Sequence, residues 1–371
     1  MLQRSSAHCA TSSFSTELTV VKVVHSPAHL GHNPQEEIAE SGAHSPHEHT
    51  GRGEIIRETL AADPAMEMLS PREWGIDPIL EVHERGLHDF LMNAWARYQR
   101  DVRSAREVVP DFFYRPAMRE AMGSLGEPSH VNAQLGWWCF ETTTPITQGS
   151  YMAARGSVDV AMTAASLVLG GERFAYGNCR PPGHHATRDL YGGYCFFNNA
   201  AIIAHHVAST TGVKVTVLDP DYHHGNGTQQ IFYERDDVQY VSLHADPVRA
   251  YPYVTGFSDE RGSGKGLGAN ANFPLARGTG DAEFLDVLKR AIEEIDRFKP
   301  ELLVVSLGVD TFDGDPICDL RLTRQGFFDC GALVAGLGLP TVVLQEGGYA
   351  LAELGNNVRA WLRGLEGLSA A

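Results

Sequence analysis

Residues 214–227 read KVTVLDPDYHHGNG. Residues 214–218 are a strand-length apolar run rich in β-branched side chains, and the run stops abruptly in acid, imidazole and glycine. Runs of the same kind occupy 174–178, 238–243, 302–307 and 341–344. Four of the five end in a polar cluster: Arg180-Pro-Pro-Gly-His184-His185, Asp219-Pro-Asp221-Tyr-His223-His224-Gly-Asn226, Gly308-Val-Asp310, and Glu346-Gly-Gly-Tyr349. Around these runs the apolar residues recur at three-to-four spacing. In 78–100 they are Ile79, Leu80, Leu87, Phe90, Leu91, Ala94 and Tyr98; further helices are predicted over 151–169, 199–209 and 281–298. Strands alternating with helices predict a single α/β domain with a mostly parallel central sheet and helices on both faces. Ligands of such sheets bind outside the carboxyl ends of the strands, so the four clusters are expected to converge on one crevice.

The 371 residues, 43% hydrophobic, suffice for one large core. No repeat argues for a second domain. Residues 1–19, rich in Ser, Thr and Ala, read as a flexible tail, and 20–371 as the catalytic domain. Residues 25–71 read as a long N-terminal loop, and six histidines crowd between His25 and His49. Such a stretch binds metal or forms a polar rim of a site. Six cysteines without a C-x-x-C pair read as reduced thiols, with Cys139, Cys179 and Cys195 in the core. The formal charge of -16 excludes a nucleic-acid partner and suits a cationic substrate. Apolar runs too short to span a bilayer, and the absence of a secretory pattern, predict a soluble cytoplasmic protein with no membrane partner.

Asp221 and His223 are two residues apart, which in extended chain points both side chains the same way. With Asp310 they form an Asp-His-Asp set that leaves a fourth position for water, the open pattern of a catalytic zinc, although iron(II) or cobalt(II) takes the same donors. His184 and His185 arrive on a Pro-Pro-Gly turn and suit a general base and a general acid. Asp219 is placed to hold one imidazole and Asn226 the other. A carboxylate partner favours the imidazolium and an amide does not, so the pair should titrate apart. Tyr349, after two glycines, is either an oxyanion donor or a core tyrosine closing a loop.

In combination, RPPGHHA, GGYCFFNNAA, LDPDYHHGNGTQQIFYER, VSLHADP, SLGVDTFDGDP and EGGY make the sequence resemble the histone deacetylase superfamily, and within it the bacterial acetylpolyamine amidohydrolases, from about Val20 to Leu365. The resemblance implies zinc on Asp221, His223 and Asp310, His185 as general base beside His184, and Tyr349 polarising the acyl carbonyl. It also implies a structural potassium ion held by Asp219 and Ser242 with the backbone carbonyls of Asp221, His223 and Leu243. Gly193, Tyr194, Tyr251 and Ile317 match the walls of a substrate tunnel. The N-terminal loop matches one that narrows a partner's site in homodimers.

The chain departs from the family pattern at Pro220, within Asp219-Pro-Asp221, and at Asn132 in VNAQLGWW, where polyamine enzymes can carry a glutamate for the distal ammonium. Glu36, Glu37, Glu48 and Asp111 are candidate rim acids in its place. The leading expectation is hydrolysis of an acetylpolyamine or acetyl-lysine-like small molecule. Asn132 keeps open the same chemistry on a neutral amide. A non-catalytic metal-bound acyl-amine binder is the reading from another class, and an arginase-like two-metal site would need further ligands.

Overall fold

In a computed structural model of the chain, which describes residues 20–39, 42–114, 121, 123 and 126–369, eight strands form one sheet. They are Val21–Val24 (β1), Met66–Leu69 (β2), Phe174–Gly177 (β3), Val215–Asp219 (β4), Val238–Ala245 (β5), Asn270–Leu275 (β6), Leu302–Leu307 (β7) and Thr341–Gln345 (β8). Their order is β6-β5-β4-β7-β8-β3-β1-β2, and every pairing is parallel. The strands that precede the four polar clusters, β4, β7, β8 and β3, are therefore four adjacent strands in the middle of the sheet. That adjacency brings the clusters together.

Side chains alternate across a strand, and here both faces are apolar. Leu302 and Val304 face one layer with Ala175, Val215, Val217, Val342 and Leu344. Leu303, Val305 and Leu307 face the other with Tyr176, Leu218, Val241 and Val343. Helices Arg85–Asp101, Ser150–Leu169 and Asn199–Thr211 cover the first face; Thr50–Ala61, Asp281–Phe298, Arg324–Ala335 and Leu351–Leu365 cover the second. Each fully buried Leu or Val contributes about 1.5 to 3 kcal/mol against leaving it exposed. Ser150–Leu169 has the length and hydropathy of a membrane span, yet 72% of it is buried inside the fold, which makes it a core helix. Cys139, Cys179 and Cys195 are buried free thiols.

Three expectations need correction, and the tail expected over 1–19 lies outside the described residues. The single helix expected over 78–100 is two, Asp77–Leu80 and Arg85–Asp101. Between them the chain is held by tertiary bonds: His83 Nδ1–H donates to the Thr187 carbonyl at 2.8 Å, its Nε2 accepts from the Asn198 amide at 2.9 Å, and the Glu84 amide donates to the Arg188 carbonyl. Edge strands β2 and β6, and strand β1, were not expected. Nor is 25–71 a loop, since it carries the 3-10 turn Pro27–Gly31, the hairpin Glu37–Ala39 with Gly42–His44, helix Thr50–Ala61 and strand β2. Ile56 and Leu60 of that helix are buried against the second face.

One buried ion cluster fastens this N-terminal segment to the strand ends. Glu48 accepts from Arg180 Nε at 2.7 Å and Nη2 at 3.0 Å, and from Arg52 Nη1 at 3.0 Å. Arg52 also donates to the carbonyls of Gly348 and Glu346, both at 2.7 Å, and Arg180 to that of His29. Glu48 is thus no rim acid. Burial opposes its charge, but Arg180 and Arg52 outweigh burial and hold its pKa at about 2. A folded pKa below the unfolded one means stability that is present above about pH 4.5 and is lost as pH falls toward 2. Glu48→Gln leaves two buried guanidinium groups short of a partner and is expected to cost about 3 to 5 kcal/mol at pH 7. Urea unfolding at pH 7 and pH 3 checks this: the gap between wild type and variant should narrow at the lower pH.

Candidate active site

The loop after β3 delivers two imidazoles to the crevice with different partners. His184 Nδ1–H donates to Asp219 Oδ2 at 3.1 Å; His185 Nδ1–H donates to Asn226 Oδ1 at 2.7 Å, leaving its Nε2 lone pair free of that contact. The ring centroids are 4.1 Å apart. Burial works against charge on both. At His184 the carboxylates of Asp219 and Asp221 outweigh it and raise the pKa to about 10. At His185 burial, reinforced by the charges of His184 and His223, pushes the pKa well down. Their surroundings thus push the two rings in opposite directions, His184 toward its cation and His185 toward its neutral form. Glu346, which the sequence reading left unassigned, sets this loop: its Oε2 accepts from the amides of Gly183 at 2.6 Å and His184 at 3.2 Å.

Asp221, His223 and Asp310 meet at the ends of β4 and β7. Both carboxylates are fully buried, and His223 Nδ1 is 3.2 Å from Asp310 Oδ2 and 3.4 Å from Asp221 Oδ1. Metal bonds of about 2.0 to 2.2 Å in a tetrahedron put ligand atoms roughly 3.3 to 3.6 Å apart, so each of these two spacings from His223 is close to that of atoms sharing one cation. Charge fits too. Burial first, and then the Asp221 charge, push Asp310 up to about 7 against the neighbouring His223 imidazole. A third donor atom type is close by: His223, Asp310 and the Cys318 thiol each offer an atom within 4.8 Å of the others. Two glycines make the approach possible. A Cβ at Gly308 would lie 1.9 Å from Asp221 Oδ2, and one at Gly347 2.3 Å from Asp310 Oδ2.

Asp219 pairs in register with Ser242. Its Oδ2 also accepts from Tyr240 at 2.9 Å, while the Ser242 hydroxyl lies 2.7 Å from His244 Nδ1, and Leu243 is buried beside it.

A cavity of about 590 Å³ leads to His185 and His223. Gly193, Tyr194, Tyr251, Ile317 and Tyr349 line it, together with Glu37, His44, His47 and Glu141. The Tyr349 backbone amide donates to Asp315 Oδ2 at 2.7 Å, and the Arg52 guanidinium sits 4.7 Å from the centre of its ring. Burial raises the phenol pKa well above 10, which keeps the hydroxyl a donor. Asn132 does not line the cavity: it lies on helix Val131–Trp138 with its amide 3.4 Å from both Asp111 carboxylate oxygens. Of the four proposed rim acids only Glu37 lines it, and Glu141 was missed. The hairpin Glu37–Ala39 with Gly42–His44, within the N-terminal segment, borders the cavity of its own chain.

A parallel sheet whose four middle strands end in a histidine pair, an Asp-x-Asp-x-His turn, a buried aspartate and a Gly-Gly-Tyr loop defines a deacetylase-type amidohydrolase. The chain belongs to the histone deacetylase family, whose domain it matches over residues 46–365. It is 41% identical over 344 residues to acetylpolyamine amidohydrolase 1 of Pseudomonas aeruginosa, covering 93% of this chain and 98% of that protein. Against the acetylpolyamine amidohydrolase of Mycoplana ramosa it is 38% identical, covering 94% and 100%. The crystal structure of an acetylpolyamine aminohydrolase from Burkholderia pseudomallei superposes with a TM-score of 0.87 at 36% identity, over 94% of this chain and 99% of that one.

The close approach at Gly308 yields a structural test of the metal set. Wild type dialysed against metal-free buffer is expected to keep one equivalent of a divalent transition metal. Gly308→Ala forces Asp221 Oδ2 away, so metal content measured on protein with an unchanged circular dichroism spectrum should fall well below one equivalent.

Proposed function

We propose that the chain is a zinc-dependent deacetylase of small acetylated amines bearing a distal cation, of which acetylpolyamines are the representative class. The observation that carries this reading is the cavity: aromatic walls from Tyr194, Tyr251 and Tyr349 suit a methylene chain, Glu37 and Glu141 line it, and it reaches His185 and His223, the second of which lies against Asp221 and Asp310. Similarity to acetylpolyamine amidohydrolases along almost the whole chain supports it. The neutral-amide reading rested on Asn132, which does not line the cavity.

Zinc on Asp221, His223 and Asp310 supplies Lewis-acid polarisation of the acyl carbonyl and a lowered pKa for the attacking water. His185 Nε2 takes a proton from water as its oxygen adds to the carbonyl carbon. The Tyr349 hydroxyl donates to the carbonyl oxygen as negative charge develops there. His184, held cationic by Asp219, offsets that charge from a fixed position. The proton passes from His185 to the leaving nitrogen as the C–N bond breaks, and the remaining proton of the attacking water follows to the amine, so that acetate and the ammonium form of the amine are released. The proposal includes a structural potassium on Asp219 and Ser242 with the backbone carbonyls of Asp221, His223 and Leu243, motivated by two fully buried aspartates in this corner.

Tyr349→Phe removes only the hydroxyl, so it is expected to keep metal and fold and to lower kcat about 100- to 1000-fold. Unchanged kcat would remove Tyr349 from the mechanism.

Substrate class is tested by kcat/KM of the zinc-loaded enzyme for N-acetylputrescine against N-butylacetamide, a neutral amide of similar length. The cationic substrate should lead by a few-fold or more, and the ratio should shrink with added salt, as screening requires. Equal values at low salt would overturn the cationic-substrate reading.

A further inference from the structure

A second group of metal donors stands at the wall of the same cavity, outside the Asp221, His223 and Asp310 set. In the hairpin Glu37–Ala39 with Gly42–His44, Glu37 pairs directly with His44, which puts both side chains on one face. His47 follows, with its ring centroid 5.5 Å from that of His44. Glu37, His44 and His47 each offer a ligand atom within 4.8 Å of the others, and His44 Nδ1 is 3.4 Å from Glu37 Oε1.

Glu37 is the informative member. The residue is 2% exposed; its Oε1 accepts from the Tyr194 hydroxyl at 3.2 Å, while its Oε2 is buried with no hydrogen-bond partner among the described residues, and burial pushes the carboxyl up to about 7 against the Tyr194 hydroxyl, the His44 charge and the His47 backbone. Leaving a buried carboxylate oxygen unsatisfied costs more than most hydrogen bonds return, which points to a missing cation. The contrast with another cluster, His25, His29 and Glu54, is direct: there Arg57 already bonds Glu54 at 2.9 Å and supplies the positive charge.

We propose that Glu37, His44 and His47 form a second, weaker site for a divalent transition metal, and that its occupation closes the cavity to cationic substrate. Two imidazoles and one carboxylate are the donor set of zinc and its neighbours, whereas calcium and magnesium take oxygen ligands. All three residues line the cavity. A metal there stands beside Tyr349, whose ring is 6.3 Å from that of His47, and reverses the local charge that attracts an ammonium. The inhibitory part of this inference rests on the proposed function; the binding part does not.

Equilibrium dialysis of the full chain against buffers of increasing free zinc reads the site directly. Wild type is expected to rise from one bound equivalent to two. The doubly substituted His44→Ala, His47→Ala protein is expected to stay at one, and Glu37→Gln to need higher free zinc for the second. With N-acetylputrescine, added zinc should raise KM in wild type and leave KM of the double variant unresponsive. A wild type that never exceeds one equivalent overturns the proposal, and so does a double variant that takes up the second equivalent as wild type does. Since the stoichiometry requires no turnover, loss of the second equivalent with the two histidines supports the site even in a protein that hydrolyses none of these amines.

Discussion

Glu48 sits between two guanidinium groups with almost no exposure to water, and through them it joins three segments far apart in sequence. Arg180 opens the loop that carries His184 and His185. Arg52 belongs to the N-terminal helix and bonds the carbonyls of Glu346 and Gly348, which flank the turn into Tyr349. A buried ion pair adds little net stability over an apolar core, but an unpaired buried charge is costly. The cluster therefore works as a register device: only one relative placement of the three segments satisfies every donor. The histidine pair and the phenol are aligned as a result.

Within that frame the site separates its charges by partner. His184 has Asp219, whose carboxylate favours the imidazolium; its neighbour His185 has Asn226, and burial favours its neutral form. Adjacent residues of one type are thus pushed toward opposite protonation states. Glycine is the complementary constraint. At Gly308 and Gly347 the backbone approaches the Asp221 and Asp310 carboxylates so closely that any side chain would displace them.

The polar strand ends were legible because strands β4, β7, β8 and β3 are buried on both faces and read as unbroken apolar runs. Strands β1, β2 and β6 were not. Val21–Val24 and Met66–Leu69 are only four residues long and each carries a charged residue, and Asn270–Leu275 includes Pro274, which an edge position tolerates. Helix Thr50–Ala61 has two glycines in its first turn, which hide its periodicity. Helix Leu351–Leu365 is legible in hindsight from its pattern alone, since Leu354, Val358, Trp361 and Leu365 lie at helical spacing. Within the site, the pairing of Asp219 and Asn226 with the two imidazoles follows from chain direction and residue type. The roles of Glu37, Glu48 and Asn132 do not, since each depends on where a distant segment folds back, and Asn132 is turned to Asp111 rather than to the cavity.

The account stands on the claim that a tetrahedral adduct forms between the His185 imidazole and the Tyr349 phenol above the Asp221, His223 and Asp310 set. The most direct measurement is a crystal structure of the zinc-loaded protein with a trifluoromethyl ketone shaped like N-acetylputrescine, whose hydrated carbon reproduces that adduct. One oxygen on the carbon should lie within about 3 Å of the Tyr349 hydroxyl and the other within hydrogen-bond reach of His185 Nε2. An inhibitor seated elsewhere, or bound with neither oxygen on these two groups, would contradict the account.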